Sequence, residues 1–224
     1  MKDLILPGIL FACMELVFIP SYLVYPRIAR GEKKKTKKIT SLLKFLCISL
    51  PLTVSAIAAF FDTESVSFSA VLVFCGMLLG AAGDVFIDWS FITGLALFLA
   101  GHVVYTAAFL SVSGFSPFSL IVFAVVFAAL FVFAVKVIPP KKENLPMYVY
   151  GAVISNMFSV AVSPLISGRE YAAVLASGAL MFLISDVFVA MGTVKKLTPL
   201  KNAVCLVLYF TGQFLIALFS YLSL

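Results

Sequence analysis

The chain has 224 residues, 63% of them hydrophobic and 12% charged, with a net charge of +6 and a mean hydropathy of +1.16. A soluble domain of this length cannot hide so much apolar surface, so composition excludes a soluble fold and points to an integral membrane protein embedded along nearly its whole length. The positive charge implies no nucleic-acid partner, because the loops sort it to one side of a membrane.

A membrane span needs about 20 mostly apolar residues. Eight runs meet that requirement: 4–25, 39–61, 66–87, 91–112, 118–138, 146–165, 171–191 and 199–223. The predicted fold is therefore all-α, a single domain over 1–224 built as a bundle of eight transmembrane helices. Span 1 contains Leu10-Phe11-Ala12-Cys13, loosely like a lipoprotein cleavage box. Apolar sequence continues to Tyr25, however, so an uncleaved first helix is expected. Ser113-Gly114 and Pro139-Pro140 mark turns after spans 4 and 5. Cys13, Cys47, Cys75 and Cys205 fall in different runs without CxxC spacing, which reads as small hydrophobes rather than disulfide partners or metal ligands.

The loops joining spans 1–2, 3–4, 5–6 and 7–8 share one face. That face collects Arg27, Arg30, Lys33, Lys34, Lys35, Lys37, Lys38, Lys136, Lys141, Lys142, Lys195, Lys196 and Lys201. The opposite face has Lys2 and Arg169, and Lys44 lies inside span 2. By the positive-inside rule the basic face is cytoplasmic and both termini are outside. Residues 31–38 then act as a topology signal, with anionic lipid headgroups a second possible contact.

Two aspartates lie at membrane depth in similar settings: Gly83-Asp84-Val85-Phe86-Ile87 in span 3 and Ser185-Asp186-Val187-Phe188-Val189 in span 7. A charged carboxylate inside hydrocarbon costs about 2.5–3.5 kcal/mol even on lenient insertion scales, so such residues face the bundle interior and carry function. Counting along each helix from the basic face puts both aspartates, and Lys44, roughly 5–10 Å deep. Glu15, His102, Asn156 and Tyr209 come out at about 15 Å, with Gln213 a little deeper. A polar pocket in the cytoplasmic half of the bundle is expected. Asp88, beside Trp89 at the membrane boundary, reads as a solvated loop charge.

Gly101-His102-Val103-Val104 in span 4 and Gly212-Gln213-Phe214-Leu215 in span 8 extend the likeness. Spans 3–4 and 7–8 thus read as a repeated hairpin, implying a parallel 4+4 repeat about a pseudo-two-fold axis along the membrane normal. That axis would bring Asp84 and Asp186 opposite each other. Two carboxyls close together in a dry pocket do not both ionise readily, so the pair supplies one acid and one anion. The competing reading is a structural pair satisfied by Lys44 or by hydroxyl and backbone donors.

His102 is the sole histidine; with no second His or Cys at ligand spacing it reads as a packing residue or pocket donor, with Tyr105 one turn on. Tyr209 and Gln213 share a face at i, i+4 and are placed to bond substrate, the aspartates or a neighbouring helix. Asn156 and Glu15 are further pocket candidates, although Glu15 could instead pair with Lys44. No GxSxG, HExxH, P-loop or GxGxxG motif occurs, so serine-hydrolase, zinc-protease and nucleotide chemistry lack support.

In order and spacing, four blocks resemble the YhhN-like lysoplasmalogenase family of multi-pass membrane proteins. They are Gly83-Asp84; Phe91-x-x-Gly94-x-x-x-Phe98-x-x-x-His102-x-x-Tyr105; Phe182-x-x-Ser185-Asp186; and Tyr209-x-x-x-Gln213. The segment before span 3, with Glu15 and Lys44, carries no family motif. The resemblance implies hydrolysis of the vinyl ether bond of a lysoplasmalogen, giving a fatty aldehyde and a glycerophospho-base, in a bacterial plasma membrane. It implies Asp84 and Asp186 as the catalytic groups. His102, Tyr105, Asn156, Tyr209, Gln213, Lys44 and Glu15 are the candidates around the substrate. No cofactor, metal or obligate protein partner is expected; the partners are a lysophospholipid substrate and membrane lipid. Two other classes fit the residues: a proton-coupled transporter of a small or lipid-like solute, and a non-catalytic lipid-binding protein.

Overall fold

The computed structural model describes residues 3–28, 33–61, 67–87 and 89–223. Lys2, Arg30, the start of the 31–38 stretch and Asp88 lie outside the described residues, as do the side chains of Arg27, Lys33, Lys34, Lys35 and Lys37.

Among the described residues, eight helices are long and apolar enough to cross a membrane. The first span joins α1 (Ile5–Cys13), a π-helical turn (Met14–Phe18) and α2 (Ile19–Ile28). The first helix expected here is widened at the π-helical turn, where Pro20 has no N–H to return to the Leu16 carbonyl. The second span is α3 (Lys33–Phe60), followed by α4 (Phe68–Phe86), α5 (Phe91–Ser113) and α6 (Pro117–Val137). A 3-10 turn (Lys142–Asn144) leads into α7 (Leu145–Ile166), then α8 (Ala172–Val194) and α9 (Pro199–Leu222). Every apolar run maps onto one helix to within about a turn. The largest departure is α3, which takes in most of the basic stretch expected as loop. Lysine is a good helix former and neither Gly nor Pro interrupts the segment before Pro51.

Two tight hairpins dominate the bundle: α4 with α5, and α8 with α9. The second helix of each starts on a hydroxyl cap. Ser90 Oγ accepts the Thr93 N–H and Thr198 Oγ1 the Lys201 N–H, both at 3.3 Å. Within each hairpin the helices touch at glycine. A Cβ on Gly101 would lie 3.1 Å from the Gly76 carbonyl oxygen, and one on Gly212 would lie 2.8 Å from that of Gly178. Such contact lets van der Waals packing hold helices together where lipid offers no hydrophobic drive. Gly212→Ala would strike the backbone of α8 at two points, the second being Phe182 N at 3.0 Å. It is expected to lower stability by about 1–3 kcal/mol, read as a reduced thermal midpoint in detergent.

The remaining neighbours pair off. α3 lies against α4 and α9, while α7 lies against α8 and α5; α2 leans on α3 as α6 leans on α7. Tyr105, Phe109, Phe182, Phe210 and Phe214 fill the core. α6 is peripheral, with Ser119 its single buried residue.

Candidate active site

Asp84 sits in the last turn of α4, where the helix reaches the basic end of the bundle, and its side chain is 9% exposed. Its Oδ1 is 3.0 Å from Lys44 Nζ of α3, and the same ammonium donates to the Asp84 carbonyl at 3.1 Å. Tyr209 of α9 donates its hydroxyl to Oδ2 at 2.6 Å. Behind it, Gln213 Nε2 donates to the Tyr209 oxygen at 3.3 Å and Tyr105 donates to Gln213 Oε1 at 2.8 Å. Every hydrogen in this chain points toward Asp84. An ionised carboxylate is an acceptor-only group, so the arrangement suits a charged Asp84 beside a charged Lys44.

Asp186 has different surroundings. Its Oδ2 accepts from the Tyr150 hydroxyl at 2.8 Å, and His102 Nε2 lies 2.8 Å from the Tyr150 oxygen and 3.4 Å from Oδ2. Tyr150 has one hydrogen and gives it to Asp186, so Nε2 must carry the hydrogen that satisfies the tyrosine oxygen. Among the described residues, His102 Nδ1 is buried without a hydrogen-bond partner. Among the described residues, Asp186 is held through Oδ2 while its Oδ1 has no bonding partner.

Both carboxyls line one cavity of about 330 Å³, along with Lys44, Tyr150 and Tyr209. The rest of the wall is mainly apolar, and Ile87, Ile138 and Leu197 show that the cavity reaches the loops at the basic end. An apolar pocket with a few convergent polar groups is the general form of a small-molecule site.

His102, Tyr105 and Gln213 are buried behind this cavity and reach it through Tyr150 and Tyr209. Glu15 is tied to Thr211 at 2.6 Å and does not line the cavity, nor does it pair with Lys44. Asn156 is exposed on the opposite side of α7, in a shallow groove with Val103 and Phe123. Its depth along the helix matched the pocket, but its direction did not. Tyr150 is the residue that sequence reasoning missed. It belongs to the buried stripe Tyr150, Ile154, Met157 and Ala161, whose i, i+4, i+7, i+11 spacing marks the inward face of α7. Removing its hydroxyl in Tyr150→Phe deprives Asp186 of its donor. In any reaction that uses Asp186 as a neutral acid, the loss is expected to lower kcat about 2- to 10-fold, given roughly 0.5–1.5 kcal/mol for a neutral hydrogen bond, with KM little changed in steady-state assays.

The model of the YhhN family matches residues 39–219. The chain belongs to the YhhN family. The YhhN segment takes in Lys44, Asp84, His102, Tyr105, Tyr150, Asp186, Tyr209 and Gln213 and leaves out Glu15. Over 161 residues the chain is 31% identical to lysoplasmalogenase TMEM86A of Homo sapiens, covering 67% of this chain and 65% of that protein. Lysoplasmalogenase TMEM86A of Bos taurus is 27% identical over 164 residues, with the same coverage. The chain thus spans just under two thirds of the length of these relatives. No solved structure matches it.

Proposed function

We propose that this protein is a membrane hydrolase that cleaves the vinyl ether bond of lysoplasmalogens, releasing a fatty aldehyde and a glycerophospho-base such as glycerophosphocholine or glycerophosphoethanolamine. The observation that carries the reading is the pair of membrane-depth carboxyls on one apolar cavity, one neutralised by an ammonium and the other with an open oxygen. Kinship to relatives named lysoplasmalogenase supports it.

The reaction divides between the carboxyls. Asp186 is the general acid: its Oδ1 proton passes to the terminal vinyl carbon of the C=C–O unit, and the oxygen-bearing carbon becomes an oxocarbenium ion. Asp84, kept ionised by Lys44 and Tyr209, stabilises that cation through the low-dielectric cavity. Water adds to the cationic carbon and returns a proton to Asp186. The hemiacetal then collapses to aldehyde and alcohol, so substrate plus one water gives both products with the acid restored. The residues carry this cycle without a cofactor. With the basic end cytoplasmic by the positive-inside rule, both termini are outside and the phosphate headgroup lies near the loop lysines.

The test is product analysis by mass spectrometry on purified protein, with lysoplasmalogen, ester lysophospholipid and alkyl-ether lysophospholipid side by side. Aldehyde from the vinyl ether alone is expected. Proton-driven uptake into proteoliposomes with no product would replace the hydrolase reading with a transporter.

A further inference from the structure

A glycine in the middle of a helix costs about 1 kcal/mol relative to alanine, so each one in this bundle needs a reason. Gly76, Gly101, Gly178 and Gly212 have one: a Cβ on any of them would come within 3.1 Å of the neighbouring helix. Gly151, in the second turn of α7, has no such reason. A Cβ there meets nothing within 4 Å, although the residue lines the cavity of the two aspartates. It shares a helix face with Met147, Tyr150 and Ile154, which line the same cavity, so the missing side chain leaves empty volume beside the Tyr150–Asp186 pair.

The cavity extends from that pair along Leu130, Phe133 and Ala134 of α6 and Leu183 and Ala190 of α8. This wall carries no hydrogen-bonding side chain. α6 packs on α7 and only marginally on α8. Its outer side is apolar and exposed at Ile121, Val125 and Val132, so lipid lies just beyond a thin wall. The apolar lining fits a hydrocarbon chain held beside the carboxyls between α6, α7 and α8.

We propose that this slot holds the alkenyl chain of the substrate and that Gly151 sets its width, making Gly151 a specificity-determining residue. The inference rests on the hydrolase reading and adds to it where the chain lies. A side chain at position 151 would compete with the alkenyl chain for the same space next to the reacting double bond.

The experiment compares kcat/KM for a long-chain (hexadecenyl) and a short-chain (butenyl) lysoplasmalogen, using the full chain in detergent and the series Gly151→Ala, Gly151→Leu and Gly151→Phe. The long-to-short ratio is expected to fall stepwise with side-chain size. Alanine should lower it about 10-fold and the larger residues roughly 100-fold or more, since one methylene in an apolar pocket is worth about 10- to 200-fold. Ratios are read on variants that still turn over the short substrate, so a folding defect cannot pass for a blocked slot; Gly151→Ala, which relieves a helix-interior glycine, is the variant least prone to misfold. Val149→Phe, exposed on the lipid side of the same helix, serves as control and should leave the ratio unchanged. A flat ratio across the series, or an equal fall in Val149→Phe, overturns the slot. A wild-type protein silent on both substrates overturns the hydrolase reading instead.

Discussion

Asp186→Asn is expected to reduce aldehyde release by about 10²- to 10⁴-fold, the usual contribution of a positioned general acid, while the bundle stays assembled. Asparagine keeps an oxygen for the Tyr150 hydroxyl, which lies 2.8 Å from Asp186 Oδ2, and turns an amide into the cavity where an acidic hydrogen is needed. Asp84→Asn should differ in kind. It is also expected to lose activity, because the cationic intermediate proposed above loses its counter-charge, but it removes the carboxylate that stood 3.0 Å from the Lys44 ammonium. The two variants therefore separate acid from anion: both inactive, with only Asp84→Asn lowering the thermal midpoint in detergent. Retention of more than a tenth of the activity by Asp186→Asn sinks the two-carboxyl mechanism, and the opposite stability pattern reverses the roles.

Much of the fold was legible because a bilayer imposes length and composition on any helix that crosses it. Eight apolar runs could be counted without knowing what they pack against. The aspartates were legible for the same reason, since polarity in hydrocarbon is conspicuous, and Asp84, Asp186, Lys44 and Tyr209 do meet at one cavity. Direction around each helix was harder to read. Counting residues along a span gives depth, whereas the side of the helix depends on which neighbours cover it. Asn156 had the right depth and points away, while Tyr150 was passed over because tyrosine is unremarkable near a span end. The inward stripe of α7 that contains Tyr150 would have separated the two. Glu15 shows a third limit: its π-helical turn shifts the face that a regular helix would present, and it meets Thr211 instead of the cavity. Close glycine contacts occur within both hairpins, while the positions expected to be equivalent hold different residues, His102 in α5 and Gln213 in α9. Those two residues serve opposite carboxyls, His102 through Tyr150 to Asp186 and Gln213 through Tyr209 to Asp84.

Lys44→Met is expected to be the most damaging single change to stability. The ammonium and the Asp84 carboxylate are both largely buried, with side chains 18% and 9% exposed. Removing one partner of a buried pair leaves an uncompensated charge and costs about 3–5 kcal/mol. The protein can avoid part of that cost by letting Asp84 take up a proton, but the site then has two acids and no anion, so activity is lost. The double variant Lys44→Met/Asp84→Asn removes both charges. Replacing both members of a buried pair by uncharged groups is often close to neutral, so the double variant should recover most of the stability lost by Lys44→Met and none of the activity. Thermal midpoints of the four proteins in this cycle, with aldehyde release measured on the same samples, give the coupling directly. A Lys44→Met protein that melts with the wild type and keeps its activity would mean that Asp84 does not depend on the ammonium, and the division of labour between the two aspartates would fall with it. A large coupling with activity lost throughout would tie the charge of Asp84 to both the fold and the chemistry. The same ammonium would then explain how this chain keeps a carboxylate at membrane depth.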